Sequence, residues 1–449
     1  MTTPIVVVSL ALITITLTTL CLPSAARASV GLKCDVPDRD TTLKVMHVYD
    51  KCSPFRPAKG GLSWEETVVE TMRKDDARVV YLSSLVARKS VAPIASGRQI
   101  IQSPTYVVRA KVGTPAQTLV MAMDTSNDAA WVPCSGCVGC TSTLFATAMS
   151  TTYKTLGCQA PQCQQVSSAA RCTGTTPTPS CTFNQTYGSS AFAATLSSDT
   201  LTLATDPIPN YTFACLSTVT GTSIPPQGLL GLGRGPLSLL SQSQSLYSST
   251  FSYCLPHFSS SNFSGSLRLG PVAQPLRIKT TPLLRNPHRP SLYYVNMIAI
   301  RVGRRIVDIP PSALAFDPAT GAGTIFDSGT VFTRLVKDAY VPMRDQFRRR
   351  VGLPNVTSLG GFDTCYNNVP STFVFPTISF HFAGMNVTMP VENLLIHSTA
   401  GGITCLAMAA APDNVNSVVN VIASMQQQNH RVLFDVPNNR LGVARERCT

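Results

Sequence analysis

Two aspartates in this sequence each follow an apolar run, and they lie about 200 residues apart. Asp124 ends the segment "LVMAMD", and Asp327 ends the segment "GTIFD". A buried carboxylate is costly unless a partner offsets the lost water. Two carboxyls held about 3 Å apart share one proton. The ionised member can then take a proton from water while the protonated member donates to a carbonyl oxygen, which is the chemistry of hydrolysis without a covalent intermediate.

The residues after each aspartate support this pairing. Thr125 and Ser328 carry hydroxyls that can hydrogen-bond between the two loops and hold them together. Gly329 allows backbone N–H groups to approach a carboxylate. Ser126 stands at the matching position of the first site, and a positive φ there would cost on the order of 1 kcal/mol.

A weak internal repeat predicts that the two acids meet. From Tyr106 onward the chain is a succession of strand-like segments with alternating polarity, such as "YVVRAKV" and "DTLTLAT". About 100 residues after each aspartate comes a second apolar stretch, at 228–235 and at 420–429. The repeat predicts an all-β chain of two similar halves, with Asp124 facing Asp327 across a pseudo-twofold axis.

The first hundred residues differ from the rest. Residues 1–28 contain an apolar run from Ile5 to Leu22, and "ARA" at 26–28 fits a small-residue cleavage site; together these features predict a secretory signal peptide. The run lacks an early positive charge, so an uncleaved membrane anchor is the alternative; no other run is long enough to span a bilayer. Residues 29–103 include a charged helical segment with a capping box from Ser63 to Glu66. We interpret 29–103 as a removable pro-segment, with a plain helical subdomain as the alternative.

Cysteine usage fits a secreted protein. The chain has 15 cysteines, and loss of Cys21 with the signal leaves an even number. "CSGCVGC" could suggest zinc, but no second CxxC or histidine pair completes a site, so we expect no metal and no cofactor. Disulfides are expected among twelve residues: Cys134, Cys137, Cys140, Cys158, Cys163, Cys172, Cys181, Cys215, Cys254, Cys365, Cys405 and Cys448.

Sequons and charge also bear on the environment of the protein. In a secreted chain five sequons would accept glycans, at Asn184, Asn210, Asn262, Asn355 and Asn386. The formal net charge is +13, with basic runs at 301–305 and 344–350. These runs lack the interleaved aromatics of a nucleic-acid site, so they indicate a solvated surface or contact with an acidic cell-wall polymer.

Six segments together resemble the pepsin-like aspartic proteases, in particular the secreted nepenthesin-like group of plants. They are "DTSNDAAWVPC", "TYGSSAF", "GLLGLGRGPLSLLSQ", "FSYCL", "FDSGTVFTRL" and "QQQNHRVLFDVPNNRLGVA". The resemblance covers roughly residues 104–449. It implies a bilobal all-β fold with a central cleft, an N-terminal lobe over 104–285 and a C-terminal lobe over 286–449. It also implies an extended peptide as substrate, and we expect a monomer that binds no nucleic acid and does not insert stably into a membrane after signal removal.

Site residues follow from the same resemblance. Asp124 and Asp327 match the two catalytic acids, and Tyr187 matches the flap tyrosine that closes over substrate. Trp131 matches the tryptophan that supports the flap tyrosine, and Thr330 matches a hydroxyl beside the second acid. Cys158 to Cys181 fall in the cysteine-rich insert of the group, and the resemblance implies pairing of Cys365 with Cys405 and, more loosely, of Cys254 with Cys448.

The sequence also departs from the family pattern. Ser126 replaces the usual glycine after Asp-Thr, Asn127 replaces the usual serine, and Ala423 replaces a glycine of the second apolar stretch. The flap lacks the usual Gly-x-Gly after its tyrosine.

Two functions therefore remain open. One is a secreted aspartic endopeptidase active at acidic pH, in the extracellular space or apoplast, with the vacuole as the second destination. The other is a catalytically weak or silent homologue that acts by binding, as the xylanase-inhibitor and extracellular-globulin relatives of plants do. The two acids favour the first function, and Ser126 keeps the second open.

Overall fold

The computed structural model describes Cys34, Asp38 and residues 41–56, 63–86, 106–166, 171–173, 179–257, 265–272, 274–275, 277–354, 356–398, 402–412 and 417–448. The predicted signal peptide, the predicted end of the pro-segment near residue 103, and the sequons at Asn262 and Asn355 lie outside these residues. Internal contacts divide the chain into Met1–Val36 and Pro37–Thr449, and every helix and strand named below belongs to the second unit.

Two elements precede the main β body: strand β1 (Thr42–His47) and helix α1 (Trp64–Val86). The predicted capping box begins α1. The backbone N–H of Ser63 donates to Glu66 Oε2 at 2.7 Å, and the N–H of Glu66 donates to Ser63 Oγ at 3.2 Å. These two bonds satisfy orphan donors of the first turn and fix where the helix starts.

One face of α1 is buried against the β body. Its buried residues, Asp75 included, recur three or four positions apart, which places them on one side of the helix. The buried apolar members are Val68, Met72, Val79 and Leu82. Asp75 lies within the same stripe and is 2% exposed, so this face also carries a buried acid.

The first half of the body consists of strands and short helices. Its strands alternate buried and less buried positions, as β8 does over most of its length, which is typical of a sheet with one face on the core. The strands are β2 (Tyr106–Val112), β3 (Gln117–Asp124), β4 (Ala130–Val138), β5 (Lys154–Thr155), β6 (Arg171–Thr173), β7 (Ser180–Tyr187), β8 (Ser190–Leu203), β9 (Asp206–Thr220), β10 (Leu229–Gly231), β11 (Thr250–Cys254) and β12 (Gly265–Leu269), and the helices are α2 (Pro161–Gln165), α3 (Leu239–Gln242) and α4 (Gln244–Tyr247).

The second half repeats this organisation and adds a longer helix. The strands are β13 (Lys279–Leu284), β14 (Tyr294–Val295), β15 (Met297–Val302), β16 (Arg305–Ile306), β17 (Gly323–Phe326), β18 (Thr333–Leu335), β19 (Thr357–Leu359), β20 (Phe362–Asn367), β21 (Ile378–Phe382), β22 (Met385–Met389), β23 (Leu395–His397), β24 (Ile403–Leu406), β25 (Met408–Ala410), β26 (Val419–Ile422), β27 (His430–Asp435) and β28 (Arg440–Arg445), and the helices are α5 (Lys337–Val351) and α6 (Ser424–Gln427).

The predicted repeat is confirmed by the strand pairing. In the first half β10 lies parallel to β3 and antiparallel to β4, and in the second half β26 lies parallel to β17 and antiparallel to β18. Each apolar stretch therefore inserts beside the strand that leads to an aspartate. Leu232 N–H donates to the carbonyl of Asp124 at 2.8 Å, and Asp327 N–H donates to the carbonyl of Ile422 at 3.1 Å.

An antiparallel sheet joins the two halves. The strands pair in the order β2, β1, β12, β11, β27, β28, β13, so strands from both halves of the body belong to one sheet. β1 pairs on both edges, with β2 on one side and β12 on the other. This fold agrees with the predicted all-β, bilobal class.

Disulfides fasten loops and strand ends in both halves. The structure pairs the twelve cysteines expected to form them as Cys134–Cys215, Cys137–Cys140, Cys158–Cys172, Cys163–Cys181, Cys254–Cys448 and Cys365–Cys405. The last two pairs are those that the family resemblance implied. Cys254–Cys448 links β11 to the C-terminal segment after β28.

Membrane-spanning helices and metal-binding clusters are both absent from the part of the chain that the structure describes. None of their helices combines the length and the apolar content that crossing a bilayer requires. Their histidine, cysteine and acidic side chains do not gather into a group that could hold a metal ion.

Candidate active site

Asp124 and Asp327 meet around a single nitrogen atom. Asp124 ends β3, Asp327 follows β17, and both side chains are 0% exposed. Nη2 of Arg78, from α1, lies 2.7 Å from Asp124 Oδ1, 3.2 Å from Asp327 Oδ1 and 3.3 Å from Asp327 Oδ2. The two carboxyls therefore face one another with a guanidinium group between them.

Two hydroxyl residues hold the aspartate loops together across the pseudo-twofold axis. Thr125 N–H donates to Ser328 Oγ at 3.2 Å, and Ser328 N–H donates to Thr125 Oγ1 at 3.0 Å. Each hydroxyl also donates to a carbonyl of the opposite strand, Thr125 Oγ1 to Phe326 at 3.4 Å and Ser328 Oγ to Met123 at 3.2 Å. Because both residues are fully buried, these bonds fix the spacing of the two loops.

Hydrogen-bond donors surround the two carboxyls unequally. Asp124 Oδ1 accepts from the N–H of Ser126 at 2.8 Å and from its Oγ at 3.0 Å. Asn127 Nδ2 donates to Asp124 Oδ2 at 2.7 Å, and Thr330 Oγ1 donates to Asp327 Oδ2 at 2.6 Å. Asn127 and Thr330 each lie three residues after their aspartate, so they serve the same position in the two halves.

Ser126 fits its position without backbone strain. Neither Ser126 nor Gly329 is among the described residues with positive φ, so the strain considered for a serine here does not arise. The two positions differ in another way. A Cβ on Gly329 would lie 2.3 Å from Arg78 Nη2, whereas Ser126 Oγ accepts from that same nitrogen at 2.5 Å. Gly329 thus leaves room for the guanidinium, and Ser126 binds it.

Tyr187 contacts both Asp124 and Arg78. It ends β7, Gly188 follows at φ +57 in the turn to β8, and Tyr187 Oη donates to Asp124 Oδ2 at 2.7 Å. The Trp131 ring packs edge-on against the Tyr187 ring with centroids 4.7 Å apart. Arg78 Cζ lies 5.0 Å from the centre of the Tyr187 ring, within range of a cation–π contact.

Charges in the site stabilise each other. Burial raises the pKa of Asp124, but the Arg78 charge and the hydrogen bonds from Arg78, Ser126 and Tyr187 outweigh it, and the net pKa is lowered. Burial lowers the pKa of Arg78, but the charges of Asp124 and Asp327 outweigh it and hold the pKa well above its usual value. Burial raises the pKa of Tyr187, so its hydroxyl remains a neutral donor.

Arg78 and its neighbours on α1 were missed at the sequence level. Asp75 accepts from the N–H groups of Val331 at 2.9 Å and Phe332 at 2.6 Å, just after the second aspartate loop. Asp76 Oδ1 lies 2.7 Å from Arg334 Nη2. The available signal was Asp75 itself, since an acid within the apolar stripe of a helix indicates a specific buried partner.

Comparison with known proteins identifies the family of this chain. The chain matches the family described as xylanase inhibitor N-terminal over residues 106–271 and the one described as xylanase inhibitor C-terminal over residues 292–445. It is 50% identical over 419 residues to aspartyl protease AED3 of Arabidopsis thaliana, covering 92% of this chain and 93% of that one. It is 49% identical to aspartyl protease 25 of Oryza sativa subsp. japonica, covering 90% of this chain and 94% of the relative.

A more distant relative and two solved structures are also similar to this chain. Aspartic proteinase nepenthesin-1 of Nepenthes gracilis is 35% identical, with 76% of this chain and 78% of that protein covered. The crystal structure of edgp shares the fold at a TM-score of 0.61 and 22% identity, over 76% of this chain and 92% of that one. Basic 7S globulin from soybean gives a TM-score of 0.61 at 21% identity, with the same coverage. The chain therefore belongs to the pepsin-like aspartyl protease family of plants that includes the nepenthesins.

Proposed function

We propose that this chain is the precursor of an aspartic endopeptidase that hydrolyses extended peptides at acidic pH. One observation carries the proposal: Asp124 and Asp327, both fully buried, lie within hydrogen-bond distance of the same Arg78 nitrogen. A water molecule in the place of that nitrogen would be within reach of both carboxyls. Two relatives named aspartyl proteases, at 50% and 49% identity, support the same reaction.

The hydrogen bonds suggest a division of roles between the two acids. Asp124 accepts from Ser126 and Asn127, and these donors favour its ionised form. In the proposed reaction Asp124 takes a proton from the water, and Asp327 gives its shared proton to the oxygen of the scissile carbonyl. The water oxygen bonds to the carbonyl carbon. As the C–N bond breaks, the proton held by Asp124 passes to the leaving amine, and one hydroxyl of the tetrahedral intermediate returns its proton to Asp327, so the dyad again holds one proton.

Helix α1 keeps the precursor inactive in this proposal. Arg78 occupies the space between the carboxyls, so α1 and a substrate cannot reach Asp124 and Asp327 at the same time. Removal of the pro-segment, predicted as residues 29–103, frees the dyad. Tyr187, released from Asp124, then acts as the flap tyrosine over the bound peptide, and Trp131 supports its ring.

The proposal includes secretion. The predicted signal peptide at 1–28 and the disulfides of the body fit an oxidising compartment. The sequon residues Asn184, Asn210 and Asn386 are exposed, as glycan acceptors must be. The proposed destination is the extracellular space or apoplast, with the vacuole second, and the proposed state is a monomer.

The test uses the full chain after removal of its pro-segment. The processed protein is expected to cleave a denatured protein between about pH 3 and 5, where a shared-proton dyad is singly ionised. A pepstatin-type inhibitor should block the cleavage. A processed protein that retains its fold but cleaves nothing in this range would instead support the alternative, an extracellular binding or inhibitor protein.

A further inference from the structure

Arg334 is a buried cation that the dyad does not use. It lies in β18 and is 2% exposed. Its neighbours in the strand point to the other face: Thr333 Oγ1 accepts from Ala423 N–H at 3.0 Å, and Leu335 belongs to the main core. Because successive side chains of a strand point to opposite faces, Arg334 projects toward α1.

The partners of Arg334 come mainly from α1. Its Nη2 lies 2.7 Å from Asp76 Oδ1 and 3.1 Å from the carbonyl oxygen of Met72. Among the described residues outside α1, its hydrogen-bond partner is the carbonyl of Ala410 at 3.4 Å, and its Nε has no partner. If α1 leaves, Arg334 loses the carboxylate that balances its charge, and an uncompensated buried charge is costly.

Two backbone N–H groups near Arg334 would also lose their hydrogen-bond acceptor if α1 left. Asp75 covers the N–H groups of Val331 and Phe332 in this structure. When α1 departs, these amides need carbonyl oxygens, which any peptide supplies. Arg334 needs an anion, which only some side chains supply, so it is the group that can discriminate between substrates.

The contacts of Arg334 and of the dyad are spaced along α1. Asp76 and Met72 precede Arg78 by two and six residues, or about 3 Å and about 9 Å along the helix axis. An extended peptide advances about 3.3 Å per residue. For a substrate that follows the path of α1, the side chain that reached Arg334 would therefore lie about one to three residues from the scissile bond.

We propose that Arg334 determines substrate specificity by binding an acidic side chain of the substrate, in the place that Asp76 occupies in this structure. The inference rests on the proposed protease function. The guanidinium group is planar and can bind a carboxylate through two parallel hydrogen bonds, which glutamine or lysine cannot reproduce. The processed enzyme thus prefers peptides that carry Glu or Asp at one fixed position within about three residues of the cleaved bond.

The experiment measures kcat/KM for the processed protein on a peptide series at pH 5, where a substrate glutamate is ionised. Each peptide carries Glu, Gln or Lys at one position, within three residues on either side of the cleaved bond. At one position we expect Glu to exceed Gln by fivefold or more. R334Q should bring that ratio close to one, and R334E should favour Lys. R349Q, an exposed arginine on α5, is the matched control and should keep the wild-type ratio.

The outcomes separate the two proposals. Cleavage by the wild type with no Glu preference at any position overturns this inference and leaves the protease function standing. An R334Q protein that keeps the preference also overturns it. A wild type that cleaves no peptide overturns the protease function, and this inference with it. If R334Q does not fold, the wild-type series still tests the inference, because a wild type without a Glu preference overturns it.

Discussion

At the residue scale, the surroundings of Asp124 and Asp327 divide into local and distant contacts. Thr125 and Ser328 could be predicted because each directly follows its aspartate, and the two loops repeat. Arg78 could not be predicted, because its 2.7 Å contact to Asp124 joins residues 46 positions apart through the packing of α1. The sequence signalled only that charged residues interrupt the apolar face of a helix.

Arg78 offers the most direct test of self-inhibition. Breaking a buried ion pair by removing one partner costs about 3–5 kcal/mol, and much of this loss would weaken the binding of α1 to the β body. R78A is therefore expected to make the unprocessed precursor cleave peptide at least tenfold faster than the wild-type precursor. R73A is the matched control, because Arg73 lies on the same helix but pairs with Glu70 at its surface. Equal cleavage by R78A and R73A would refute the blocking role.

Asn127 should set the acid side of the pH profile. Its amide donates to Asp124, which favours the ionised carboxylate and lowers its pKa. In N127A that donor is lost, so the pKa of Asp124 rises and the acid limb of kcat/KM moves to higher pH. N127S keeps a donor and should restore most of the wild-type limb. A limb that does not move in N127A, or moves to lower pH, contradicts the role given to Asn127.

At the element scale, regular patterns were predictable and unusual placements were not. Alternating polarity predicted the strands from Tyr106 onward, and the capping box predicted the start of α1. The position of β1 between β2 and β12 was not predicted, because the sequence of residues 42–47 does not indicate which strands they pair with. Strand pairing between distant segments depends on tertiary packing, which local propensity does not encode.

The docking of α1 should depend on pH in two opposite ways. Burial raises the pKa of Asp75 to about 7, against the lowering effects of Arg334 and two backbone amides. A carboxyl with a raised pKa stabilises docking fully below its ordinary value of 3.8, and this contribution is lost as the pH rises through 7. The lowered pKa of Asp124 acts the other way: its ion pair with Arg78 contributes above 3.8 and is lost as the pH falls further.

Hydrogen exchange of the α1 amides in the precursor tests this dependence. After correction for intrinsic rates, protection is expected to rise as the pH falls from 7 to about 4, and to decline at lower pH. D75N should flatten the change between pH 7 and 4, because the amide does not titrate. Protection that falls steadily from pH 7 downward in the wild type would count against the assignment to Asp75.

At the scale of the whole molecule, the repeat in the sequence was sufficient to predict two β halves that bring Asp124 and Asp327 together. The fold and the family agree with that prediction. The signal peptide and the pro-segment boundary at residue 103 remain predictions. The relation of α1 to the cleft could not be inferred, since it depends on contacts that involve both halves and the flap.

The disulfide between Cys254 and Cys448 should contribute to global stability. It closes a segment of 194 residues, whereas Cys137–Cys140 closes one of 3. Because loop closure restricts the unfolded chain more when the loop is long, loss of the first is expected to cost about 2–5 kcal/mol and loss of the second clearly less. Thermal unfolding of the two double serine variants measures this, and a larger loss of Tm from the short loop would contradict the expectation.

The central claim is that Asp124 and Asp327 act as one hydrolytic unit. The most direct measurement compares peptide cleavage at pH 4 by four processed proteins: wild type, D124N, D327N and D338N, the last being an exposed aspartate of α5. We predict that D124N and D327N each lose at least a thousandfold in kcat with the fold retained, while D338N matches the wild type. If either D124N or D327N cleaved as fast as the wild type, the claim would be wrong.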